Sequence, residues 1–491
     1  MAVRVGFGKA DLWGSWGADL PLADAVEVTA FAADNGGEDI ALLLVADVCG
    51  MWPSTCERLR DATARRTGTA RDRVAVYCTQ NHGAPMEGPG VYDLDLWERR
   101  FCEAAEKAVQ DLKPCSMAFV ETTPQPSGVV RRRVRFGDAG RFSFFFGFEL
   151  EPDGTARAAG LLNLALRGLC AGPEVTVRHP VFGEDARWQP CRRSLPAVPP
   201  DTFFENGRDP LIQGVFFRGI DGGPLGSIGR WAAHPVTANA FGSRGPAGHG
   251  ADYPLYVRRR LEREFGGGAV FLTGPCGDQA PLVAEKSKEL AERTGSRVAG
   301  TLLSALGQAS WDRPDRVDAQ SLSVSLPMRV DYPKSVEQAR DLLAAARGRL
   351  LAARSNGESI RALKALSEEI ERLRYTVDGH HYSWCGIPTE DLARGSVTHP
   401  LSCLRIGDVL ITGLPGEPFG GFSVAARERV RHEAPSAHVI VAEECNGYLS
   451  YIPTADEYPE GGYGSAAAIL APEAEAVLLE ATETLARRCL S

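Results

Sequence analysis

The sequence lacks paired cysteines, membrane-length apolar runs and a signal peptide. A transmembrane helix needs about 20 consecutive apolar residues, which no segment of this 491-residue chain approaches, and Met1–Gly8 has no apolar signal core. The 12 cysteines include no C-x-x-C pair, which favours reduced thiols over a disulfide framework or a thiolate zinc site. These absences predict a soluble, cytoplasmic protein that forms no stable association with a membrane.

An excess of positive charge is also lacking. The chain has 54 basic and 63 acidic side chains and a formal net charge of -9. A surface that binds nucleic acid attracts phosphates with clustered lysine and arginine, so nucleic acid is not an expected partner. The remaining composition, 44% apolar and 24% charged residues, is typical of a globular protein.

Short apolar runs alternate with helical patterns along the chain. Residues 54–66 have helical spacing and begin with a capping box of Ser54 and Glu57. Five runs have strand character and end at Gly, Pro or a polar cluster: 40–45, 74–77, 269–272, 409–411 and 439–441. This alternation predicts an α/β protein with mixed β-sheets flanked by helices.

Residues 335–375 form the most regular helical region. Ser355-Asn356-Gly357 interrupts it, which predicts two antiparallel helices, a helical hairpin inserted into the α/β fold. The chain has no internal repeat and no Gly/Ser linker, so residues 1–491 are expected to form a single catalytic domain. The hairpin is a candidate surface for a homodimer, because long helical insertions often need a partner to cover their second face.

Polar loops follow several of the predicted strands. In α/β sheets such loops converge at the carboxyl ends of the strands and carry ligand-binding side chains. The loops contain Gln80 and His82, His234, Asp278, Glu417, and Asn446 and Tyr451. Catalytic zinc takes three or four N or O ligands and keeps a position for water, and His82, His234 and Glu417 would supply such a set.

The residue types alone leave other interpretations open. About 150 residues separate His82 from His234, and the sequence has no H-E-x-x-H motif. His234 is also compatible with a buried imidazole that bonds a backbone carbonyl, and Glu417 with a turn carboxylate at a helix N-terminus. Asp278 is compatible with an aspartate that caps its own turn.

Several sequence blocks together resemble the neutral/alkaline (non-lysosomal) ceramidase family, and the resemblance spans almost the whole chain. The blocks are Gly8–Asp11, His82–Pro85, His234–Pro235, Asp252–Pro254, Gly277–Pro281, Leu414–Pro418 and Asn446–Thr454, followed by Tyr463. Members of that family are zinc amidases whose metal is held by two His, a Glu and a Tyr, with a second Tyr near the cleaved carbonyl. The resemblance implies Zn²⁺ as cofactor, His234, Glu417 and Tyr451 as ligands, and Tyr463 as the second, catalytic tyrosine.

Two departures from the family pattern affect the predicted chemistry. Gln80 stands where the family has its first metal-binding His, so either His82 replaces it, Gln80 binds the metal through its carbonyl oxygen, or zinc binding is weakened. Imidazole is the better zinc ligand, which favours His82. Ala280 replaces the family's Ser, which removes a hydroxyl nucleophile and favours attack by a metal-activated water.

The length of the chain and its arginines indicate the substrate. Family ceramidases are longer, whereas this chain ends 28 residues after Tyr463, so we expect no C-terminal β-sandwich and a small soluble substrate instead of a bilayer lipid. The cluster Arg131–Arg133 stands where the resembled family has an Asn-Arg element near its site. The resemblance therefore implies that one guanidinium binds a substrate carboxylate or the oxyanion, and Arg132 is the candidate. The expected substrate is an acylated amino acid or another biosynthetic intermediate. Gln80 and Asn446 are further candidates for substrate binding, and Asp278 is a candidate catalytic carboxylate.

These observations predict a zinc-dependent amidohydrolase. In this interpretation Tyr463 donates a hydrogen bond to the developing oxyanion, and the general acid is unassigned. One alternative is a metal-dependent lyase or isomerase on the same fold, in which the ion stabilises an enolate. The other is a catalytically inactive protein that binds a small molecule.

Overall fold

The computed structural model describes most of the chain. The described residues are 2–12, 24–37, 39–84, 87, 93–123, 128–135, 141–143, 148–150, 156–158, 175–178, 185–188, 209–238, 250–281, 286–333, 335–379, 385–387 and 394–491. All ten cysteines in these ranges are free thiols, as the sequence predicts. Among the helices in these ranges, none combines the length and the hydropathy required to cross a lipid bilayer.

The strands of the first half of the chain are β1 (Arg4–Asp11), β2 (Glu27–Asp34), β3 (Ala41–Ala46), β4 (Val74–Cys78), β5 (Lys113–Thr122), β6 (Val129–Arg131), β7 (Arg133–Arg135), β8 (Arg141–Ser143), β9 (Phe148–Leu150), β10 (Ala156–Ala158), β11 (Val175–Arg178) and β12 (Asp185–Trp188). Those of the second half are β13 (Ile212–Gly219), β14 (Pro224–Trp231), β15 (Gly268–Thr273), β16 (Gln279–Pro281), β17 (Val317–Pro327), β18 (Ser396–Ile406), β19 (Val409–Gly413), β20 (Glu417–Pro418), β21 (His438–Ala442) and β22 (Tyr451–Ile452). Each of the five strands predicted from the sequence is present: β3 is shifted by one residue, and the other four are one or two residues longer than predicted.

Two mixed sheets dominate the fold. The larger has eight strands in the order β15-β14-β13-β5-β1-β2-β3-β4, and the smaller has four in the order β17-β18-β19-β21. Most neighbours are antiparallel, but the pairs β3/β4, β14/β15 and β19/β21 are parallel. The prediction of an α/β fold with mixed sheets is confirmed.

The two sheets pack face to face between two layers of helices. Successive side chains of a strand point to opposite faces, so Leu43 of β3 faces the smaller sheet while Leu42 and Leu44 face helices. In β19, Ile411 lies between the sheets and Leu410 packs against helices on the outer side. Both faces of each sheet are therefore apolar, and the layers follow in the order helix, sheet, sheet, helix.

The helices are α1 (Pro53–Thr67), α2 (Leu94–Gln110), α3 (Asp252–Glu264), α4 (Lys288–Leu306), α5 (Val336–Ser355), α6 (Ile360–Val377), α7 (Gly420–Glu433), α8 (Tyr463–Ala467) and α9 (Ala474–Leu490). The predicted helix at 54–66 is present, but its predicted capping box is wrong. Trp52 is the N-cap residue of α1 and no side chain caps it. Pro53 starts the helix because its fixed φ suits the first helical position, which places Ser54 inside the first turn.

Helices α5 and α6 occupy the hairpin predicted at 335–375. A short connection of residues 356–359 joins them, and Leu343, Ala346, Ile370 and Leu373 pack between them. The outer face of α5 leaves Leu342 and Leu351 exposed. A homodimer through this face stays a prediction. No β-sandwich follows Tyr463 in the described part of the chain.

Candidate active site

The loops that follow β4, β14, β15, β19 and β21 meet at one end of the two sheets. Main-chain hydrogen bonds join them: His82 N donates to Pro235 O at 3.3 Å, and Gly277 N donates to Pro418 O at 2.9 Å. Glu417 and Tyr451 are paired residues of the parallel strands β20 and β22. The tertiary structure thus brings together segments that are up to 370 residues apart in the chain. This agrees with the expectation that loops at the carboxyl ends of the strands lie close together.

His82, His234 and Glu417 lie side by side in this cluster. His234 Nε2 is 3.5 Å from Glu417 Oε2, and the ring centroids of His82 and His234 are 4.9 Å apart. The exposed fractions of the three residues are 5%, 0% and 2%. These three predicted metal ligands are therefore neighbours.

The atoms of His234 and Glu417 fit two positions of a zinc ion. His234 Nε2 and Glu417 Oε2 have no hydrogen-bond partner among the described residues. Two ligand atoms of tetrahedral zinc, each bonded at about 2.0–2.2 Å, are about 3.3–3.5 Å apart, which agrees with the 3.5 Å observed. Within the described ranges, no group of three or more His, Cys, Asp or Glu side chains has the arrangement of a metal site. A complete ligand set thus stays a prediction.

The environment keeps both imidazoles neutral. Burial lowers the pKa of His82 to about 3, and the positive charges of Arg132 and Lys286 act in the same direction. Burial also lowers the pKa of His234 well below its usual range, and Arg132 again adds to the effect. Burial raises the pKa of Glu417, but Arg132 opposes this rise. Because both pKa values are low, both rings are neutral at pH 7. Neutral imidazole is the form that binds metals.

Arg132 extends from the segment between β6 and β7 into the cluster. Its Nη2 donates to the Tyr451 hydroxyl at 2.9 Å and to Gly277 O at 2.8 Å, and lies 3.9 Å from Glu417 Oε2. Burial lowers the pKa of the guanidinium, but Tyr451 and Glu417 raise it by more, so the group stays charged with a pKa above its usual value. The predicted substrate-binding arginine therefore touches the ligand-type tyrosine.

Tyr463 begins α8 beside Tyr451. Their ring centroids are 5.2 Å apart with an interplanar angle of 75°, an edge contact. Tyr463 is 5% exposed, and burial raises the pKa of its hydroxyl. It is a neutral phenol at physiological pH, a form that can donate a hydrogen bond.

Gln80 also lies in the cluster, in a strained backbone conformation. Its φ of 59° is in the left-handed region, which side chains with a Cβ rarely adopt. Its Oε1 accepts from Cys276 Sγ at 3.2 Å, and its side chain also lies against Glu417, where it lowers the pKa of that carboxylate. Gln80 is therefore near the predicted metal position.

Asp278 and Asn446 have mainly structural partners. Asp278 Oδ2 accepts from Arg131 Nε at 2.9 Å and its Oδ1 accepts from Gly420 N at 2.7 Å. Asn446 Oδ1 accepts from Val76 N at 3.1 Å, and its Nδ2 donates to two groups of β18. These contacts hold loops in place, so the catalytic role of Asp278 and the substrate-binding role of Asn446 stay predictions that no contact supports.

The sequence assigns no role to Glu443 and Glu444, and it favours an inert thiol at Cys276, since no neighbouring residue would activate it. Glu443 accepts from both the Sγ and the N of Cys276, each at 2.9 Å, and Cys276 Sγ lies 3.4 Å from His234 Nδ1. The neighbouring Glu444 is 0% exposed, and neither of its oxygens has a hydrogen-bond partner in the described part of the chain. Two acidic residues directly after the apolar strand β21 follow the same pattern that identified the other loops.

Tyr448 is a further partner that the sequence did not indicate. Its hydroxyl donates to Glu417 Oε1 at 2.7 Å, which leaves Oε2 toward His234. Likewise, His234 Nδ1 lies 3.3 Å from Cys276 O, which leaves Nε2 toward Glu417. Partners of this kind fix the orientation of metal-ligating side chains in proteins.

Comparisons with solved structures identify the fold. No family model and no curated protein matches the chain. A structure of a ceramidase complexed with C2 matches with a TM-score of 0.63 and 14% identity over 99% of this chain and 75% of that one. The neutral ceramidase from Pseudomonas aeruginosa matches with a TM-score of 0.61 and 16% identity over the same shares of the two chains. At such low identity the match concerns the fold alone, and the chain accordingly has a ceramidase-like α/β fold.

Proposed function

We propose that the protein is a zinc-dependent hydrolase that cleaves an amide bond of a small soluble substrate. The observation that carries the proposal is the 3.5 Å separation of His234 Nε2 and Glu417 Oε2, two buried atoms without hydrogen-bond partners among the described residues. Buried polar atoms are normally paired, so two such atoms at this separation mark a candidate position for a bound ion. The ceramidase-like fold supports the same function.

In this proposal His82, His234, Glu417 and Tyr451 hold the ion. When bound, zinc supplies a Lewis acid for the amide carbonyl and lowers the pKa of a water molecule. The two neutral imidazoles offer lone pairs at pH 7, and the Glu417 carboxylate supplies negative charge. Tyr448 orients Glu417 through its hydrogen bond to Oε1, and Cys276 O orients His234 through its contact with Nδ1.

Arg132 and Tyr463 act on the substrate. The Arg132 guanidinium is charged and buried, so it can bind a substrate carboxylate or the developing oxyanion more strongly than an exposed side chain can. Tyr463 remains a neutral phenol and donates a hydrogen bond to the carbonyl oxygen as it becomes negative. A cationic side chain beside the reacting carbonyl favours an acylated amino acid over an uncharged lipid.

Metal analysis and an amidase assay test the proposal together. The full chain is purified from zinc-supplemented culture without chelator, its zinc is measured by mass spectrometry, and N-acetyl amino acids are supplied in water enriched in ¹⁸O. We expect about one zinc per chain, release of free amine, and ¹⁸O in the acid product. His234→Ala and Glu417→Ala are expected to lose the zinc and the activity, and Gln80→Ala to keep the zinc.

The exposed His438 provides a matched control. His438→Ala removes the imidazole of the first residue of β21, at the opposite end of that strand from the loop that follows it, and is expected to leave zinc content and activity unchanged. A chain that holds no zinc after supplementation would contradict the metal site. Turnover without ¹⁸O incorporation would instead favour a lyase.

A further inference from the structure

One face of α6 carries a stripe of four polar side chains, of which three are buried and Glu368 is partly buried. Lys364, Glu368, Glu371 and Tyr375 follow at intervals of four, three and four residues, which places them on one side of the helix. Lys364 and Glu371 are each 5% exposed and Tyr375 is 3% exposed. Lysine and glutamate are rarely buried to this extent without partners. The stripe must therefore face groups that pair with it.

The first two members of the stripe hold the loop that precedes Tyr463. Lys364 Nζ donates to Glu460 O at 2.8 Å, and Glu368 Oε1 accepts from Gly462 N at 2.6 Å. Gly461 lies between them at φ 69°, and a Cβ there would collide with both Lys364 and Glu368. The loop is therefore held against α6 by main-chain contacts that only glycine permits at residue 461.

The other two members reach Tyr463 itself. The Tyr375 hydroxyl donates to Glu371 Oε1 at 3.1 Å, one helical turn away. The rings of Tyr375 and Tyr463 meet edge to face, with centroids 6.4 Å apart and an interplanar angle of 74°. The Tyr375 hydroxyl also donates toward the Tyr463 oxygen, because this hydrogen bond raises the pKa of Tyr375 and lowers that of Tyr463. Tyr375 thus shares its one proton between Glu371 and Tyr463, and Tyr463 keeps its own proton for the substrate. A continuous chain of contacts thus runs from Glu371 through Tyr375 to the tyrosine in the candidate site.

We infer that α6 is part of the active site and that Tyr375 and Glu371 are positioning residues for Tyr463. The inference rests on the proposed role of Tyr463 in amide hydrolysis. It makes the hairpin a component of the catalytic unit instead of a peripheral addition to the fold.

The physical reason is the freedom of an unrestrained phenol. A tyrosine hydroxyl has one proton and two acceptor sites and rotates to suit its surroundings. Contact with Tyr375, which Glu371 holds in turn, fixes the position of the Tyr463 oxygen before substrate binds. Pre-organised hydrogen-bond donors stabilise a developing oxyanion most, because they need no reorganisation during the reaction.

Three side-chain variants test this role. Tyr375→Phe removes only the hydroxyl, Glu371→Ala removes the acceptor, and Glu371→Gln keeps an acceptor of the same size. On the N-acetyl amino acid that the wild type hydrolyses fastest, we expect Tyr375→Phe and Glu371→Ala to lower kcat about 3- to 10-fold with KM unchanged, the loss of one hydrogen bond in the transition state. Glu371→Gln is expected to retain most of the activity.

A spectroscopic measurement follows Tyr463 without any turnover. With 3-fluorotyrosine incorporated at position 463, Tyr375→Phe is expected to shift or broaden the ¹⁹F resonance. Tyr458→Phe is the matched control, because it removes a tyrosine hydroxyl that donates to Leu470 O at 2.5 Å. That variant is expected to leave the resonance and kcat unchanged.

The outcomes separate the two proposals. A wild type that hydrolyses no amide would remove the proposed function, and the ¹⁹F resonance would still decide whether Tyr375 positions Tyr463. An active wild type whose kcat and ¹⁹F resonance are both unaffected by Tyr375→Phe would overturn the positioning role alone. A loss of kcat in Tyr458→Phe equal to that in Tyr375→Phe would also overturn it, because the effect would then be a general one.

Discussion

The layer between the two sheets and the loop cluster at their end are both buried, but the first consists of apolar side chains and the second is rich in polar ones. Between the sheets, the Phe31 ring lies 5.3 Å from Phe7 and 5.4 Å from Phe217 by ring centroids, in a layer formed by apolar side chains. In the loop cluster, Gln80 and Glu444 are each 0% exposed and have left-handed backbones, with φ of 59° and 57°. Burial alone therefore does not distinguish a core from a site.

The difference shows how the protein supports its site. Apolar burial stabilises the fold by about 25 cal/mol per Å² removed from water. Buried polar groups without partners and left-handed backbones each cost about 1–3 kcal/mol. The sandwich of sheets thus offsets the strain of the loops, and strain of this kind clusters at functional sites. Three predictions test the contrast.

The largest effect is expected from the layer between the sheets. Phe31→Ala removes a ring that packs against two other aromatic rings and should lower the free energy of unfolding by about 4 kcal/mol, because the cavity cannot collapse between two sheets. Urea unfolding followed by circular dichroism measures the loss. Phe119→Ala, at the partly buried edge of the same layer, should cost less. An equal loss at the two positions would contradict the layered packing.

A smaller, pH-dependent effect is expected from Glu87 in the loop cluster. Burial raises its pKa to about 7, although hydrogen bonds from Thr55 and Trp52 N oppose the rise. The folded-state pKa exceeds the unfolded one. The contribution of Glu87 to the free energy of unfolding is therefore largest below about pH 4.5, and it is lost as the pH rises through 7. Glu87→Gln should therefore be more stable than the wild type by about 3 kcal/mol at pH 8 and equally stable at pH 4.

Unfolding of the wild type and of Glu87→Gln across this pH range measures the difference. The Thr55 hydroxyl can accept from the new amide as readily as it donates to the carboxylate, so the variant keeps a hydrogen bond there. A constant difference between the two proteins from pH 4 to pH 8 would show that Glu87 does not titrate near 7.

The smallest effect is expected at Glu444, and its direction is opposite to that of a core substitution. Burial raises the pKa of this carboxyl well above its usual range, and Glu417 and Glu443 add to the rise. Glu444→Met replaces an unpartnered buried carboxyl with an apolar side chain and should raise the free energy of unfolding by about 1–2 kcal/mol. Thermal unfolding at pH 7 measures it.

Glu443 is the matched comparison for that substitution. It is the preceding residue and equally buried, but its carboxylate accepts two hydrogen bonds from Cys276. Glu443→Met should therefore destabilise the protein by about 1–3 kcal/mol. If the two variants change stability in the same direction, the distinction between partnered and unpartnered carboxylates in this cluster is wrong.

The sequence predicted the fold class and much of the site because both depend on local patterns. Apolar runs such as 409–411 predicted strands, and polar residues immediately after those runs predicted loops that meet at the ends of the sheets. The spacing of residues 335–375 predicted the hairpin, whose two helices the structure contains. The loop pattern predicts Gln80, His82, His234 and Glu417, whereas the roles of Tyr451, Tyr463 and Arg132 follow from the family resemblance. All seven lie in one cluster.

Other features depend on contacts that no local pattern records. Asn446 follows a strand as the other candidates do, but its side chain bonds to β4 and β18 because the backbone at this residue adopts φ 57° and turns it toward the sheet. Asp278 likewise bonds Arg131, about 150 residues earlier in the chain. The polar stripe of α6 resembles a solvated helix face in sequence, and only its packing against the Tyr463 loop shows that it is buried.

The sequence by itself therefore determined which segments become strands and helices and which loops carry polar side chains, because alternation and helical spacing are local properties of the chain. The tertiary structure alone decided which of those side chains face one another, since the direction of a side chain in a loop depends on backbone angles and on partners that arrive from distant segments. The tertiary structure thus decided both the 3.5 Å separation of His234 Nε2 and Glu417 Oε2 and the contact of Tyr375 in α6 with Tyr463.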